Sequence, residues 1–226
     1  MEYELYWISG SPYAWRVMLT LGYKSLRYKS NRIDGSTRGH KKPDYLRLNF
    51  RGQVPTFVAN GTAITESVAI MSFLEKAHPE PALFGRDSLE TGHIWETIFE
   101  FENYVRDLLS VEIVRPLLRG VGQDNPDAIR SSASSALDAV QWMENALQNG
   151  CYLAGDRVSA ADIVALPNMQ MLARVGRRAE AVEMGLGLHD LNATLPAIGA
   201  WLTRMEAIAG YDAAYPPHWR PQEGSE

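Results

Sequence analysis

Strand signals occur only in residues 1–80 of this 226-residue chain, and that asymmetry limits the folds open to it. Residues 2–8 are rich in strand formers, and Ser11-Pro12 then begins a run with apolar residues at helical spacing. Further strands are predicted at 28–33, 54–58 and 62–64, and further helices from Pro43 and from Thr65. The last two strands flank Asn60-Gly61, a typical hairpin turn. The order β-α-β-α-β-β-α predicts a small mixed sheet with helices packed on it.

The remainder of the chain, residues 89–226, shows helical periodicity and no strand signal. Its first helix is indicated by apolar residues at helical steps: Ile94, Ile98, Phe101, Val105 and Leu108. Later helices are predicted at 125–149, from Ser159, and around Leu195, Ile198, Leu202 and Met205. Ser159 and Asp162 fit a capping box, which marks a helix start. We therefore predict a linker at 81–88 and an all-helical domain at 89–226, which ends in an irregular proline-rich tail.

Composition narrows the possible partners. The net charge is −5 and the basic residues form no block with aromatic residues, which argues against nucleic-acid binding. No apolar run approaches the roughly 18 residues of a membrane span, and the acidic N-terminus is unlike a signal peptide. Cys151 is the only cysteine, which is typical of a reducing compartment, and the five histidines show no metal-ligand spacing. We expect a cytoplasmic protein without a metal site.

Four motifs, in order, resemble those of the cytosolic glutathione transferases, and the resemblance spans nearly the whole chain. They are Ser11-Pro12-Tyr13-Ala14-Trp15-Arg16-Val17, Gly52-Gln53-Val54-Pro55, Thr65-Glu66-Ser67, and Leu153-Ala154-Gly155-Asp156 with Ser159-Ala160-Ala161-Asp162. The resemblance implies an α/β thioredoxin-like N-terminal domain, an all-α C-terminal domain, and glutathione as the co-substrate.

The start of the first helix resembles the serine-type classes of this family. Ser11-Pro12 with His40-Lys41 is similar to the phi pattern, whereas Trp15-Arg16-Val17 is similar to the zeta pattern, and theta is a third serine-type class. The tail around Tyr215-Pro216-Pro217-His218-Trp219 resembles that of bacterial members. The class within the family stays open.

Ser11 is the candidate catalytic residue. Glutathione attacks electrophiles as its thiolate, and a free thiol with a pKa near 8.5 is only slightly ionised at neutral pH. A hydroxyl that donates to sulfur, at a helix N-terminus that favours negative charge, stabilises this thiolate. The simpler interpretation of Ser11 is an N-cap, and Ser9 and Tyr13 are competing donors. In the register of the tyrosine-type members, the donor position falls on Trp7, which has no hydroxyl.

The resemblance also implies the residues that bind glutathione, which are His40, Lys41, Gln53, Val54, Pro55, Glu66 and Ser67. Glu66 and Ser67, at a helix start, suit the ammonium and carboxylate of the γ-glutamyl end. In the family, the residue before a cis proline pairs with the cysteinyl backbone like an added strand, which is the role of Val54 here. His40 and Lys41 match positions that hold the glycine carboxylate.

An electrophile site is expected beside the first helix of the helical domain. Its candidate contacts are Tyr13, Tyr104 and Leu108, with Ile113 and Trp219 as further ones. The electrophile is not specified by the sequence. Two other functions stay open: a zeta-like glutathione-dependent cis–trans isomerase of the maleylacetoacetate type, and a non-enzymatic binding or scaffold protein on the same fold. Family members pair as homodimers, so we expect a homodimer that binds glutathione and a small electrophile.

Overall fold

The computed structural model describes residues 2–220 and divides the chain into two compact units. The first unit contains the chain up to Ala82 together with the C-terminal segment from Ile208. The second unit is continuous and runs from Leu83 to Ala207.

The first unit is built on a four-stranded mixed sheet. Its strands are β1 (Tyr3–Trp7), β2 (Lys29–Arg32), β3 (Thr56–Ala59) and β4 (Thr62–Ile64), in the spatial order β2-β1-β3-β4. β1 runs parallel to β2 and antiparallel to β3, and β3 and β4 form the predicted hairpin. Asn60 and Gly61 have φ angles of 48° and 82°, the left-handed conformation that a two-residue hairpin turn requires. The α/β part of the predicted fold is confirmed.

Three helices accompany this sheet: α1 (Pro12–Tyr23), α2 (Pro43–Leu46) and α3 (Ser67–Ala77). The apolar face predicted for α1 is buried, because Ala14, Val17, Met18 and Leu21 all lie in the core. The sequence suggests Gly22 as the C-cap of α1, and this is wrong. The helix continues through Tyr23, and Lys24 is its C-cap. Gly22 serves instead as a point of close backbone contact with Gly210.

The second unit begins with one long helical run whose middle is widened. α4 (Ser88–Glu100) continues into two π-helical segments, Phe101–Val105 and Leu108–Val114, and ends in α5 (Arg115–Arg119). Five buried residues occur here at steps of four: Phe101, Val105, Leu109, Ile113 and Leu117. In an α-helix, a residue four positions further along the chain lies about 40° further around the helix axis. The wider turns of a π-helix reduce this rotation, so residues spaced by four stay on one face. The predicted inner-face residue Leu108 is therefore only half-buried, and its neighbour Leu109 is fully buried instead.

The rest of the second unit is also helical. It contains α6 (Pro126–Ala139), α7 (Gln141–Asn149), α8 (Ala160–Gly176), α9 (Ala179–Glu183), α10 (Leu191–Thr194) and α11 (Pro196–Glu206). The single helix predicted over 125–149 is wrong, because the chain breaks at Val140 into α6 and α7. After this break, the buried Glu144 of α7 accepts hydrogen bonds from the backbone of Ala197 and Ile198, both 2.9 Å, at the start of α11. The all-helical part of the predicted fold is confirmed.

The predicted start of α8 is confirmed, with Ser159 as its N-cap. Asp162 is completely buried, and its Oδ2 accepts hydrogen bonds from Ser159 N (2.9 Å) and Ser159 Oγ (2.8 Å). Its Oδ1 accepts from Leu153 N and Trp201 Nε1, both at 2.9 Å. Burial raises the pKa of Asp162, and these four hydrogen bonds oppose the rise. Asp162 thus links the loop before α8 to helix α11 through hydrogen bonds to a single carboxylate.

The C-terminal segment returns to the first unit. It forms α12 (Tyr211–Ala214) and a 3₁₀ turn at Pro217–Trp219. Trp15 of α1 contacts the rings of Tyr211, Tyr215 and Trp219, with centroid distances of 6.1, 5.7 and 5.5 Å. The sequence places this tail in the helical domain at 89–226. The structure differs because this aromatic cluster forms with α1, within the first unit.

Candidate functional site

Ser11 lies at the turn between β1 and α1. It is the N-cap of α1, with extended φ and ψ of −73° and 118°, and Pro12 occupies the first helical position. Its backbone N–H donates to Ile8 O (3.1 Å), and its Oγ accepts from Ala14 N (3.3 Å). Within residues 2–220, the Ser11 hydroxyl has no hydrogen-bond acceptor. The half-buried hydroxyl therefore keeps its proton for an acceptor that arrives at the helix N-terminus.

Near this turn, Trp7 and Ser9 use their polar groups in hydrogen bonds, and Tyr13 contacts Arg16 through its ring. Trp7 is buried, and its Nε1 donates to Ser30 Oγ at 2.8 Å. Ser9 Oγ is hydrogen-bonded to Nδ1 of His218 at 2.7 Å. Tyr13 has the guanidinium of Arg16 over its ring, 5.1 Å from the centroid. Among these residues, Ser11 alone combines a hydroxyl with the N-cap position of a twelve-residue helix.

His40 and Lys41 lie in a 3₁₀ turn, Gly39–Lys41, that is packed against Gly52. A Cβ atom on Gly52 would lie 2.7 Å from His40 O and 2.9 Å from Lys41 Cδ, so only glycine allows this approach. Lys41 Nζ donates to Arg51 O at 3.0 Å. These contacts bring the predicted residues 40–41 next to the predicted residues 53–55.

His40 has a buried Nδ1 with no hydrogen-bond partner among residues 2–220. Desolvation lowers the pKa of His40, and the positive charges of Lys41 and Arg38 lower it further. The ring is therefore held in its neutral form near neutral pH. The negative charge of a bound anion would favour the protonated ring and so raise the pKa of His40.

The segment before β3 is fixed through the backbone of Gln53. Gln53 O accepts hydrogen bonds from Tyr45 Oη (2.6 Å) and Asn49 Nδ2 (2.9 Å), while the Gln53 side chain is exposed. The Val54–Pro55 peptide bond is cis. Val54 precedes β3, and within residues 2–220 its backbone N–H and C=O have no hydrogen-bond partner. This leaves one donor and one acceptor for an extended ligand.

Glu66 precedes α3 in an uncommon backbone conformation. Its φ is 66° and its ψ is 114°, and its side chain is exposed and makes no capping hydrogen bond. A positive φ at a non-glycine residue costs about 1–3 kcal/mol and tends to occur at ligand sites. Ser67 is the first residue of α3 and is buried. The two residues thus lie together at a helix N-terminus, where the backbone favours an anion.

The residues predicted to contact the electrophile have different environments. Tyr104 is 65% exposed, whereas Ile113 is fully buried and belongs to the core of the second unit. Leu108 and Tyr13 are half-buried. Trp219 belongs to the aromatic cluster around Trp15. The roles of Tyr13, Tyr104 and Leu108 stay predictions.

The first unit contains a cleft that sequence reasoning missed. It has a volume of about 480 Å³ and is lined by Ile8, Ser9, Arg32, Ile33, Asp34, Gly35, Ser36 and His218. It opens where the parallel strands β1 and β2 end. The sequence signal was available, because ligands in α/β proteins tend to bind at the carboxyl ends of parallel strands. The contribution of His218, from the opposite end of the chain, had no such signal.

Among residues 2–220, no group of three or more His, Cys, Asp or Glu side chains could hold a metal ion. No helix in that range is both long and apolar enough to cross a membrane.

Comparisons with known proteins cover both units. Residues 10–77 match the family model "Glutathione S-transferase, N-terminal domain", and residues 126–209 match "Glutathione S-transferase, C-terminal domain". The chain is 31% identical to glutathione S-transferase 3 of Zea mays over 169 residues, which are 70% of this chain and 73% of that protein. It is 28% identical to maleylacetoacetate isomerase of Pseudomonas aeruginosa over 204 residues, 86% of this chain and 92% of that one.

A solved structure is similar over almost the full length. The crystal structure of a glutathione S-transferase from the Antarctic clam Laternula elliptica superimposes with a TM-score of 0.81 and 27% identity. The match covers 97% of this chain and 94% of the clam chain.

Proposed function

The chain belongs to the glutathione S-transferase family of enzymes, and we propose that it joins glutathione, through its sulfur, to a small electrophile, with Ser11 holding that sulfur as a thiolate. The observation that carries this proposal is the N-cap geometry of Ser11. Its Oγ accepts from Ala14 N, so the hydroxyl proton is directed away from the helix backbone. A sulfur atom at this point accepts that proton and meets the positive end of the dipole of α1.

The energy required is within the range of these two effects. A fall of about two units in the thiol pKa corresponds to roughly 2.7 kcal/mol in favour of the anion. A hydrogen bond to a charged group contributes about 1.5–3 kcal/mol, and a helix N-terminus adds about 0.3–1 kcal/mol. The thiol proton leaves to solvent, so no neighbouring general base is needed.

The remaining glutathione contacts are assigned by matching the polar groups of the site to those of the ligand. Val54 N and O pair with the cysteinyl backbone of glutathione, and His40 with Lys41 holds the glycine carboxylate. Glu66 binds the γ-glutamyl ammonium, while Ser67 and the N-terminus of α3 bind its carboxylate. Gln53 has an exposed side chain within the same segment and contacts the γ-glutamyl group. Each assignment matches the charge of the ligand group to that of the site.

The test of this proposal is the ionisation of bound glutathione. The ultraviolet absorbance of the thiolate is titrated against pH in the wild type, Ser11→Ala and Ser11→Thr. We expect Ser11→Ala to raise the bound thiol pKa and to lower turnover of a chlorinated dinitrobenzene about 10²-fold. Ser11→Thr keeps a hydroxyl and restores part of the effect. An unchanged thiol pKa in Ser11→Ala would reduce Ser11 to an N-cap.

A second function is supported by the relatives that are named maleylacetoacetate isomerases, in Pseudomonas aeruginosa and Caenorhabditis elegans among others. Such an enzyme adds glutathione to a conjugated double bond, allows rotation, and releases glutathione again. The same Ser11 thiolate serves both reactions. Turnover of a cis-dienoate substrate without consumption of glutathione would select the isomerase, and stoichiometric consumption the transferase.

Assembly and location are carried over from the family as expectations. We expect a cytoplasmic homodimer, and sedimentation of the purified protein tests the dimer. A non-enzymatic scaffold on this fold would not be retained on immobilised glutathione, and the Ser11 titration would find no bound thiol.

A further inference from the structure

In the cleft at the ends of β1 and β2, the two isoleucines are half-buried and form what we call the floor, while most of the polar side chains are exposed and form what we call the rim. Ile8 and Ile33 supply the apolar part, and Gly35 lies so close to Ile8 that a Cβ would be 3.1 Å from its Cγ2. Ser9, Arg32 and the other polar side chains surround this floor. A ligand that fits has an apolar body and one polar end.

Arg32 is a cationic group of the rim, and its guanidinium contacts the ring of Trp7. Its guanidinium lies 5.7 Å from the ring centroid of Trp7, the residue that faces it across the parallel pair β1–β2. Trp7 is itself fixed by its hydrogen bond to Ser30. Because the Arg32 side chain already contacts the Trp7 ring, it loses less conformational entropy when it binds an anion, and this favours binding.

The charge of Arg32 is not neutralised by its neighbours. Among residues 2–220, the Arg32 guanidinium forms no ion pair. The nearby acid, Asp34, directs Oδ1 to Ser36 N (2.9 Å) and Ser36 Oγ (2.6 Å). These two hydrogen bonds from Ser36 lower the pKa of Asp34, so Asp34 stays negatively charged. Its charge partly opposes the binding of an anionic ligand. The rim therefore offers the exposed Arg32 cation beside the Trp7 ring, while the neighbouring Asp34 weakens the attraction for an anionic ligand.

The turn between β1 and α1 connects this cleft to Ser11, where the glutathione sulfur is proposed to bind. Ile8 and Ser9 line the cleft, and Ile8 O accepts the backbone N–H of Ser11. His218 completes the opposite side, held by its hydrogen bond to Ser9. All of these lining residues belong to the first unit.

We propose that this cleft binds electrophiles that carry a carboxylate, with Arg32 holding the carboxylate and Ile8 and Ile33 contacting the apolar body. The proposal deepens the transferase function and rests on it for the reaction itself. In that reaction, glutathione sulfur bonds to the electrophilic carbon, the carbon–halogen bond breaks, and halide leaves. The carboxylate is not altered. Arg32 is a specificity-determining residue, because it acts on an end of the substrate that does not react.

The first experiment measures binding without turnover. Calorimetry compares 3-nitrobenzoate with the neutral, nearly isosteric 3-nitrobenzamide, in the wild type, Arg32→Gln and the control Arg27→Gln. Arg27 is an exposed arginine of the same unit that does not line the cleft. We expect the wild type and Arg27→Gln to prefer the carboxylate by about tenfold, and Arg32→Gln to lose that preference. Equal affinity in the wild type, or a preference that survives Arg32→Gln, overturns the proposal.

The second experiment locates the ligand and includes the reaction. The titration is repeated with saturating S-methylglutathione, which occupies the glutathione site. Competition between the two ligands would assign the carboxylate to the glutathione site and overturn the proposal. Turnover of 4-chloro-3-nitrobenzoate and its amide should show the same loss of preference in kcat/KM for Arg32→Gln, with the KM for glutathione unchanged. If S-methylglutathione does not bind, the transferase function fails, while the benzoate titration still decides on the cleft.

Discussion

Gly22 of α1 and Gly210 of the C-terminal segment touch backbone to backbone. A Cβ atom on Gly22 would lie 2.8 Å from Gly210 Cα, closer than real Cβ atoms approach such a neighbour. Gly210 has a φ of 83°, which glycine adopts without strain. This contact seats the segment that carries Tyr211, Tyr215 and His218 against α1.

The Gly22–Gly210 contact predicts the effect of one added methyl group. Gly22→Ala forces the two backbones apart and should lower the free energy of unfolding by about 1–3 kcal/mol. Gly92→Ala is the matched control, because Gly92 lies inside α4 with no atom near the added Cβ. That change should raise stability by about 0.5–1 kcal/mol. Urea unfolding measures both, and equal responses would contradict the role assigned to Gly22.

Asp162 should be among the most sensitive positions for stability in the second unit. Asp162→Ala leaves Leu153 N, Ser159 N and Trp201 Nε1 without their acceptor in a buried place. We expect a loss of about 3–5 kcal/mol in the free energy of unfolding. Asp156→Ala, at an exposed acid nearby, should change it by less than about 0.5 kcal/mol. A small effect at Asp162, measured by thermal unfolding, would mean that water replaces the lost carboxylate.

The lowered pKa of His40 predicts a pH dependence of ligand binding. Desolvation and two neighbouring cations disfavour the protonated ring in the free protein, and a bound glycine carboxylate favours it. Affinity for S-methylglutathione, which has no thiol to titrate, should therefore rise as the pH falls from about 7.5 to about 5.5. His40→Gln should flatten that dependence, whereas His93→Gln, in the second unit, should not. A dependence that is identical in all three proteins removes His40 from the site.

The backbone of Glu66 predicts opposite effects on stability and binding. Glycine adopts positive φ freely, so Glu66→Gly should raise the free energy of unfolding by about 1 kcal/mol. Glu66→Gln keeps the conformation and should leave stability nearly unchanged. Both variants remove the carboxylate and should weaken glutathione binding about tenfold. Chemical denaturation and calorimetry separate the two effects, and unweakened binding would show that Glu66 does not contact the ligand.

Much of the candidate site was visible in the sequence because it depends on local geometry. Ser11-Pro12 specifies a helix start through the cap and the fixed φ of proline, and Asn60-Gly61 specifies the hairpin that follows β3. The sequence did not predict which of these segments lie next to each other in space. That His40 lies against Gly52 depends on the fold of the loop between them, and no local rule describes that loop.

Local sequence patterns specified the order of elements in the first unit, the start of α1 and of α8, and the chemical character of the motifs. These depend on hydrogen bonds and dihedral preferences within a few residues. Three features became known from the fold: Leu109 rather than Leu108 faces the core, the chain breaks at Val140, and His218 is hydrogen-bonded to Ser9. The reason is that packing among distant segments sets helix width, helix breaks and the path of the tail. Contacts of this kind have no signature in the residues on either side.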